Sequence, residues 1–178
     1  MAEPLVAQLL RNHPDDIVAV VYHTPWPGID DPFYQHNPTQ NLARAEYYNV
    51  PYVPWFLFDG ILYLMDYIPY QLYEDAYDQR KLVPTDVSLV HTGIYHPADG
   101  LVDFAVTASA ESTLPPGDYR IHIVLTESGL EWEAPNGTNV HNHTMRGMVP
   151  SEQGTSVTFT GDFPQTAQAV VNFVLDPL

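Results

Sequence analysis

Two histidines, His141 and His143, have the residue type and the spacing that suit a metal ion. They lie two positions apart in a segment that alternates like a β-strand, so we expect their side chains to share one face. Two imidazoles on one face commonly bind a transition metal such as zinc. The alternative is that both histidines are surface or interface residues without a metal.

Two adjacent aspartates, Asp30 and Asp31, are candidates for a different ion. They lie in a proline-rich loop, and carboxylate oxygens are preferred ligands of calcium. The loop lacks the alternating ligand spacing of a calcium-binding loop, and aspartate is also common in ordinary turns. The sequence therefore leaves two interpretations, a calcium site and a turn.

The sequence does not indicate a catalytic site. The chain has no cysteine, so it contains neither a thiol nucleophile nor a disulfide. It also lacks a serine–histidine–acid order, a phosphate-binding loop and a dinucleotide fingerprint. Glu127, Glu131 and Glu133 could be read as paired carboxylates for glycoside hydrolysis, but nothing fixes their separation. We predict no catalytic residues and a protein that is not an enzyme.

The net charge excludes one large class of partners. The 178 residues include 22 acidic and 6 basic side chains, which gives a formal charge of -16 at pH 7. Because phosphate contacts require basic residues, we expect no nucleic-acid partner. No apolar run approaches the roughly 20 residues that span a bilayer, so no transmembrane segment is expected. An acidic, lysine-poor surface suits an extracellular setting.

The first half of the chain alternates between helical and strand patterns. Proline and glycine punctuate these patterns and mark the ends of the elements. The predicted elements, in order, are a helix at Ala2–Asn12, a strand at Ile17–Tyr22, a helix at Gln40–Tyr48, strands at Val53–Phe58 and Ile61–Leu64, and a helix at Pro69–Lys81. The predicted order is α-β-α-β-β-α.

From Asp86 onward the pattern changes to strict alternation with a turn about every ten residues. Val102, Phe104 and Val106 face one way, for example, and Asp103 faces the other. This pattern is typical of a small antiparallel sandwich. We therefore predict two consecutive domains, an α/β domain at residues 1–83 and an all-β domain at residues 86–178.

Two stretches of the first half carry a resemblance to known folds. Val53-Pro54-Trp55-Phe56-Leu57-Phe58-Asp59-Gly60 resembles the thioredoxin-fold segment in which a cis-proline opens a strand. The resemblance implies that Pro54 is that cis-proline. His23, Asp31-Pro32-Phe33-Tyr34 and Arg44 resemble the thioredoxin-like half of the 28-kilodalton outer-membrane-protein family of bacterial surface proteins.

The second half continues the resemblance to that family, which has an appended β-sandwich. Val124-Leu125-Thr126-Glu127 and His141-Asn142-His143-Thr144-Met145-Arg146 resemble its valine–glutamate and histidine–arginine stretches. The resemblance implies a thioredoxin-like domain that lacks its first strand, an immunoglobulin-like sandwich, and export to the bacterial surface. The CxxC motif of thioredoxins is missing here. A thiol-disulfide oxidoreductase whose CxxC lies upstream of the given chain is the alternative function.

The predicted first strand indicates self-association. It is apolar on both faces, as a strand with a neighbour on each side would be. Its residues are Ile17, Val18, Ala19, Val20, Val21 and Tyr22. A bare apolar edge is avoided in proteins, so we expect a strand of another subunit, or the tail Ala169–Leu175, to cover it. Head-to-tail donation between subunits favours filaments. A loop or the first helix is the alternative cover.

Several tyrosines close to one another are candidates for the same kind of interface. Tyrosine is enriched at interfaces because its ring is apolar and its hydroxyl is polar. The interface candidates are Tyr67, Tyr70, Tyr73 and Tyr77. Packing in the core explains their partly helical spacing equally well. The predicted function is a structural or binding protein that associates with itself and needs no cofactor other than the zinc or calcium considered above.

Overall fold

A computed structural model of the chain describes residues 3–65 and 68–175 and contains helices together with several antiparallel sheets. The predicted mixture of helices and abundant strands is therefore confirmed. In chain order the elements are α1 (Glu3–Asn12), α2 (Pro32–His36), α3 (Pro38–Tyr47), β1 (Trp55–Phe58), β2 (Leu62–Met65), α4 (Tyr70–Lys81), β3 (Val87–His96), β4 (Leu101–Ala110), β5 (Tyr119–Ile121), β6 (Ile123–Glu127), β7 (Leu130–Glu131), β8 (Val140–His141), β9 (Thr144–Val149), β10 (Thr155–Val157) and β11 (Gln165–Val174).

The chain divides into two compact units that are not consecutive in sequence. The first comprises Met1–Val83 with Val124–Gly147, and the second comprises Pro84–Ile123 with Met148–Leu178. This division differs from the two consecutive domains that the sequence predicts, because residues 124–147 belong with the N-terminal half. No helix in the described part of the chain is both long and apolar enough to cross a bilayer.

The core of the first unit lies between α1, α4 and the β1–β2 hairpin. Leu9, Tyr73 and Tyr77 form its buried centre, and Phe56 of β1 and Ile17 pack against them. Trp55 of β1 is paired with Met65 of β2, and the hairpin turns at Asp59 and Gly60, both with positive φ.

The core accounts for two of the four tyrosines predicted at an interface. Tyr73 and Tyr77 are 1% and 6% exposed, so these two rings match the core-packing interpretation and do not form an exposed interface belt. Tyr70 is half-buried, and its hydroxyl accepts a hydrogen bond from Asn12 at 2.8 Å. Tyr67 lies outside the described residues. Helical spacing places the rings on the face of α4 that packs inward.

The segment Ile17–Tyr22 is not the strand that the sequence predicts. Its one ladder contact is a parallel bridge between Val21 and Thr144. The Val21 amide donates to the carbonyl of His143 at 2.8 Å, and the Val21 carbonyl accepts from the amide of Met145 at 2.9 Å. The prediction failed because apolar, β-branched residues favour a strand only where a neighbouring strand is present to pair with them.

The second unit contains two sheets that share one core. The first sheet has the order β11-β4-β3, and the second pairs β10 with β5. Val106 and Ala108 of β4, Ala169 of β11 and Ile121 of β5 are all buried in this core. β11 pairs with β4 along all ten residues. The tail is therefore paired with β4, and the prediction that it folds back to pair with Ile17–Tyr22 in the same chain is wrong; donation of a strand by a second subunit stays a prediction.

Candidate functional site

A groove of about 570 Å³ runs through the first unit. Its volume falls within the range of roughly 300–1,000 Å³ that is typical of ligand sites. The segment Ile17–Tyr22 forms one wall, called the first wall, and β1 forms another, called the second wall. Leu9, Tyr73 and Tyr77, the centre of the core, also line it. The walls are thus largely apolar, and two of the segments that line the groove have β-type sequences.

Some backbone polar groups of the first wall have no backbone partner within the described ranges. In a parallel bridge, the amide and carbonyl of one residue point to the neighbouring segment, and those of the residues before and after it point to the opposite side. Val21 directs its groups to residues 143–145. Val20 and Tyr22 line the groove, and their amides and carbonyls have no backbone partner among the described residues. They can bind an incoming backbone.

The second wall also has an open edge. β1 is hydrogen-bonded to β2 on one side, and no further strand pairs with it in the described ranges. The indole N–H of Trp55, at the start of β1, is buried and has no hydrogen-bond partner in the described ranges. A buried donor without a partner is uncommon, because it has lost its contact with water without a replacement. Both walls therefore offer unsatisfied polar groups.

Arg44 is the basic residue of the groove that forms no ion pair with a carboxylate of the described residues. Four of the six basic side chains form ion pairs with carboxylates, those of Arg80, Lys81, Arg120 and Arg146. Within the described residues Arg44 has none. Its guanidinium lies 4.7 Å from the ring centre of Tyr48 and 5.9 Å from that of Tyr22, and it donates to the Tyr48 hydroxyl at 2.6 Å. Burial raises the pKa of the Tyr22 phenol, so this hydroxyl is neutral at pH 7. An anionic group of a ligand would therefore find a free cation here.

A second constellation in the first unit joins three segments that are distant in sequence. Nδ1 of His23 lies 2.7 Å from Oδ2 of Asp31, and the His23 ring centre is 4.9 Å from that of Phe33. The Phe33 ring in turn lies 4.7 Å from that of His141 and meets Trp132 edge-on at 5.8 Å. The residues that carry the family resemblance in the two halves of the sequence are therefore neighbours in the fold.

Asp31 organises this constellation from the start of α2. Its Oδ1 caps the helix by accepting from the amides of Phe33 and Tyr34 at 2.8 and 3.2 Å. Burial alone would raise the pKa of Asp31. The hydrogen bond and charge of His23, together with the two amides, outweigh burial and hold that pKa below its ordinary value. Both oxygens are therefore engaged in positioning α2 and His23.

The geometry weakens the argument for each predicted metal site. β8 ends at His141, and His143 has a φ of +56°, so the two histidines do not lie on one continuous strand. Nε2 of His141 is 3.1 Å from the carbonyl oxygen of Trp132. Asp30 is exposed, whereas the oxygens of Asp31 already have partners. No group of three or more acidic, histidine or cysteine side chains in the described ranges could hold a metal.

Pro54 lies at the entrance to β1, directly after Val53, which lines the groove. The Val53–Pro54 peptide bond is cis, as are three other bonds that precede prolines.

Other members of these two sites escaped the sequence-based prediction. Asn41 is completely buried on α3, where its Oδ1 accepts from the His23 amide at 2.9 Å. A polar residue on the inner face of a predicted helix was the signal that could have identified it.

Comparisons with family models, curated proteins and solved structures found no match for this chain.

Proposed function

We propose that this chain is a non-enzymatic binding protein that takes up an extended, apolar segment of a second polypeptide in the groove between Ile17–Tyr22 and β1. The observation that carries the proposal is the combination of apolar walls with unsatisfied backbone groups, since Val20 and Tyr22 line the groove and have no backbone partner in the part of the chain that the structure describes. Addition of a strand to exposed edges uses both properties, because main-chain hydrogen bonds give affinity and side-chain pockets give specificity.

The charges around the groove favour a strand that carries one acidic group and no other charge. Two carboxylates line the groove, Asp16 and Asp59, and each already forms an ion pair, with Lys81 at 2.5 Å and Arg80 at 2.9 Å. Arg44 is left without a carboxylate in the described part of the chain. A carboxylate on the incoming segment would pair with Arg44, and a chain with 22 acidic side chains can itself supply such a segment. Self-association, extending to filaments, is the form of binding that we favour.

The proposal includes a finer description of the fold and the setting. The first unit would be a thioredoxin-like domain that lacks one strand, and the second an immunoglobulin-like β-sandwich. The sequence α3–β1–β2–α4 supports the former, and two sheets around one core support the latter. The acid-rich, lysine-poor composition supports a location outside the cell or on the bacterial surface.

A peptide titration tests the groove. The probe is a fluorescent seven-residue peptide of alternating valine and threonine with a free carboxyl terminus, and the control peptide has proline at its centre. We expect saturable binding of the first peptide, measured by fluorescence anisotropy, and at least about tenfold weaker binding of the second, because proline cannot donate a ladder hydrogen bond.

Substitutions at Val20 provide a matched pair of variants. Val20→Pro removes an amide that has no backbone partner among the described residues, so the fold should survive and peptide affinity should fall at least about tenfold. Val20→Ala keeps the amide and removes two methyl groups, so its affinity should remain much closer to that of the parent chain. Equal binding of both peptides, or equal affinity of the two variants, would contradict strand uptake.

A further inference from the structure

β3 is an edge strand of the second unit whose open side has no partner in the described residues. Within the sheet β11-β4-β3 it is hydrogen-bonded to β4. The Glu111 amide donates to the Asp86 carbonyl at 3.1 Å, just before the strand begins. Because hydrogen-bonded and non-bonded pairs alternate in an antiparallel ladder, the odd-numbered residues from Val87 to Tyr95 direct their amides and carbonyls to the open side. This edge offers a complete set of donors and acceptors.

Both faces of β3 are exposed and apolar side chains lie on each. Leu89 and Tyr95, on the face that continues the core side of β4, are 65% and 55% exposed. Val90 and Ile94, on the other face, are 63% and 62% exposed. The opposite edge of the same sheet differs, because β11 buries alternate residues and Ala169 is 1% exposed. An open strand edge with exposed apolar side chains on both faces is a template for pairing with another chain.

The usual protections of a free edge are missing from β3. Natural edge strands carry lysine, proline, a bulge or a charge that prevents pairing with another chain. β3 contains no proline and no acidic or basic side chain other than two histidines, and it pairs with β4 over ten consecutive residues without a bulge. Charged residues make up 16% of the whole chain, and the two edge strands of this sheet, β3 and β11, contain none.

We propose that β3 pairs in antiparallel fashion with β3 of a second copy, so that two three-stranded sheets become one of six strands. An antiparallel edge is complementary to itself, and a two-fold axis closes the assembly. Two copies of a chain with a charge of -16 repel each other, and an uncharged strand is the surface on which they can approach most closely. This interface is distinct from the groove of the proposed function.

Sedimentation equilibrium of the full chain tests the inference at about 10–200 µM. We expect a dimer of twice the 20.0 kDa chain mass for the Val20→Pro chain, in which uptake of a strand by the groove is impaired, and a species at least as large for the parent chain. The Val90→Lys/Ile94→Lys variant places lysines on the edge strand and should raise the dissociation constant at least tenfold. The matched control is Val170→Lys/Val174→Lys, on the same face of the sheet, where the two valines are 69% and 57% exposed on β11. The control changes net charge equally and should still dimerise.

A second variant removes a backbone donor from the open edge. Leu89→Pro removes an amide that points to the open side, from a residue that is mostly exposed, so the monomer should stay folded and lose dimerisation. Circular dichroism checks the fold of each variant. A monomeric parent chain, or a dimer that survives both β3 variants, would overturn the inference. Val20→Pro should dimerise normally, and association that depends on Val20 and not on β3 would assign it to the groove instead.

Discussion

Ile17–Tyr22 and β3 are both rich in β-branched residues, and they have different conformations. A four-residue connection joins β3 to its partner β4, and the two strands pair over ten residues, although both faces of β3 are exposed. Ile17–Tyr22 has the more apolar sequence but forms a single bridge, to Thr144. A local antiparallel neighbour therefore decides whether such a segment becomes a strand, and apolar composition does not.

The two regions also differ in what they expose to a partner. β3 presents a backbone edge to the surface, where a strand can be added on one side. Ile17–Tyr22 and β1 both line an apolar groove, which takes up an extended segment under the proposed function. The first arrangement suits a symmetric pair of copies, and the second suits insertion of a segment.

The largest effect on the free energy of unfolding should come from side-chain packing, which holds Ile17–Tyr22 in position although this segment has no strand ladder. Tyr73 is 1% exposed and packs against Phe56, with ring centres 5.1 Å apart, in the cluster that also contacts Ile17. Tyr73→Ala should lower the free energy of unfolding by about 3–5 kcal/mol, as measured by urea denaturation.

Tyr73→Phe is the control for that substitution. The Tyr73 hydroxyl is buried and has no hydrogen-bond partner in the described ranges, so removing it leaves no partner unsatisfied. We expect Tyr73→Phe to leave the free energy of unfolding within about 1 kcal/mol of the parent, or to raise it. A similar loss in both variants would show that the hydroxyl, and not the ring, holds this region.

A smaller effect on the free energy of unfolding is expected in β3, where the hydrogen bonds to β4 and the ring of Phe104 hold the strand. A Cβ atom at Gly93 would lie 2.7 Å from Cδ2 of Phe104, whose ring packs against the core of the second unit. Gly93→Val should therefore cost about 1–3 kcal/mol in the free energy of unfolding. Thr92→Val, on the opposite face, should change it by less than about 0.5 kcal/mol. Equal effects would mean that Phe104 does not secure the strand.

The smallest effect concerns the pH dependence of the α1–α4 contact, which borders the groove. Hydrogen bonds from Tyr70, His13 and Asn12 lower the pKa of Glu74 to about 2 from an ordinary value of 4.5. Since the pKa is depressed in the folded state, this stabilisation is present above pH 4.5 and is lost as the pH falls towards 2.

Glu74→Gln should therefore flatten the decline of thermal stability between pH 4.5 and pH 2. Asp75→Asn is the control, because Asp75 is exposed on the same helix and is bonded only to Gln71 among the described residues. Thermal melts across this range should show the steeper decline for the parent chain and for Asp75→Asn. An unchanged slope in Glu74→Gln would contradict the assignment.

The sequence predicted elements whose signals are local. The β1–β2 hairpin followed from the Asp59–Gly60 turn, and the alternation of Phe104 and Val106 matches the core-facing side of β4. The bridge of Val21 to Thr144 and the contact of Phe33 with His141 could not be predicted, because they depend on the return of residues 124–147 to the first unit. No periodicity in a single sequence encodes such a return.

Hydrogen exchange resolved to single amides tests strand uptake most directly. The Val21 amide is bonded to His143 in the chain itself and should exchange slowly with or without a ligand. We expect the valine–threonine peptide to slow exchange of the Val20 and Tyr22 amides, and the proline-containing peptide to leave them unchanged. Exchange at Val20 and Tyr22 that is unaffected by the first peptide, or slowed equally by both, would contradict the account.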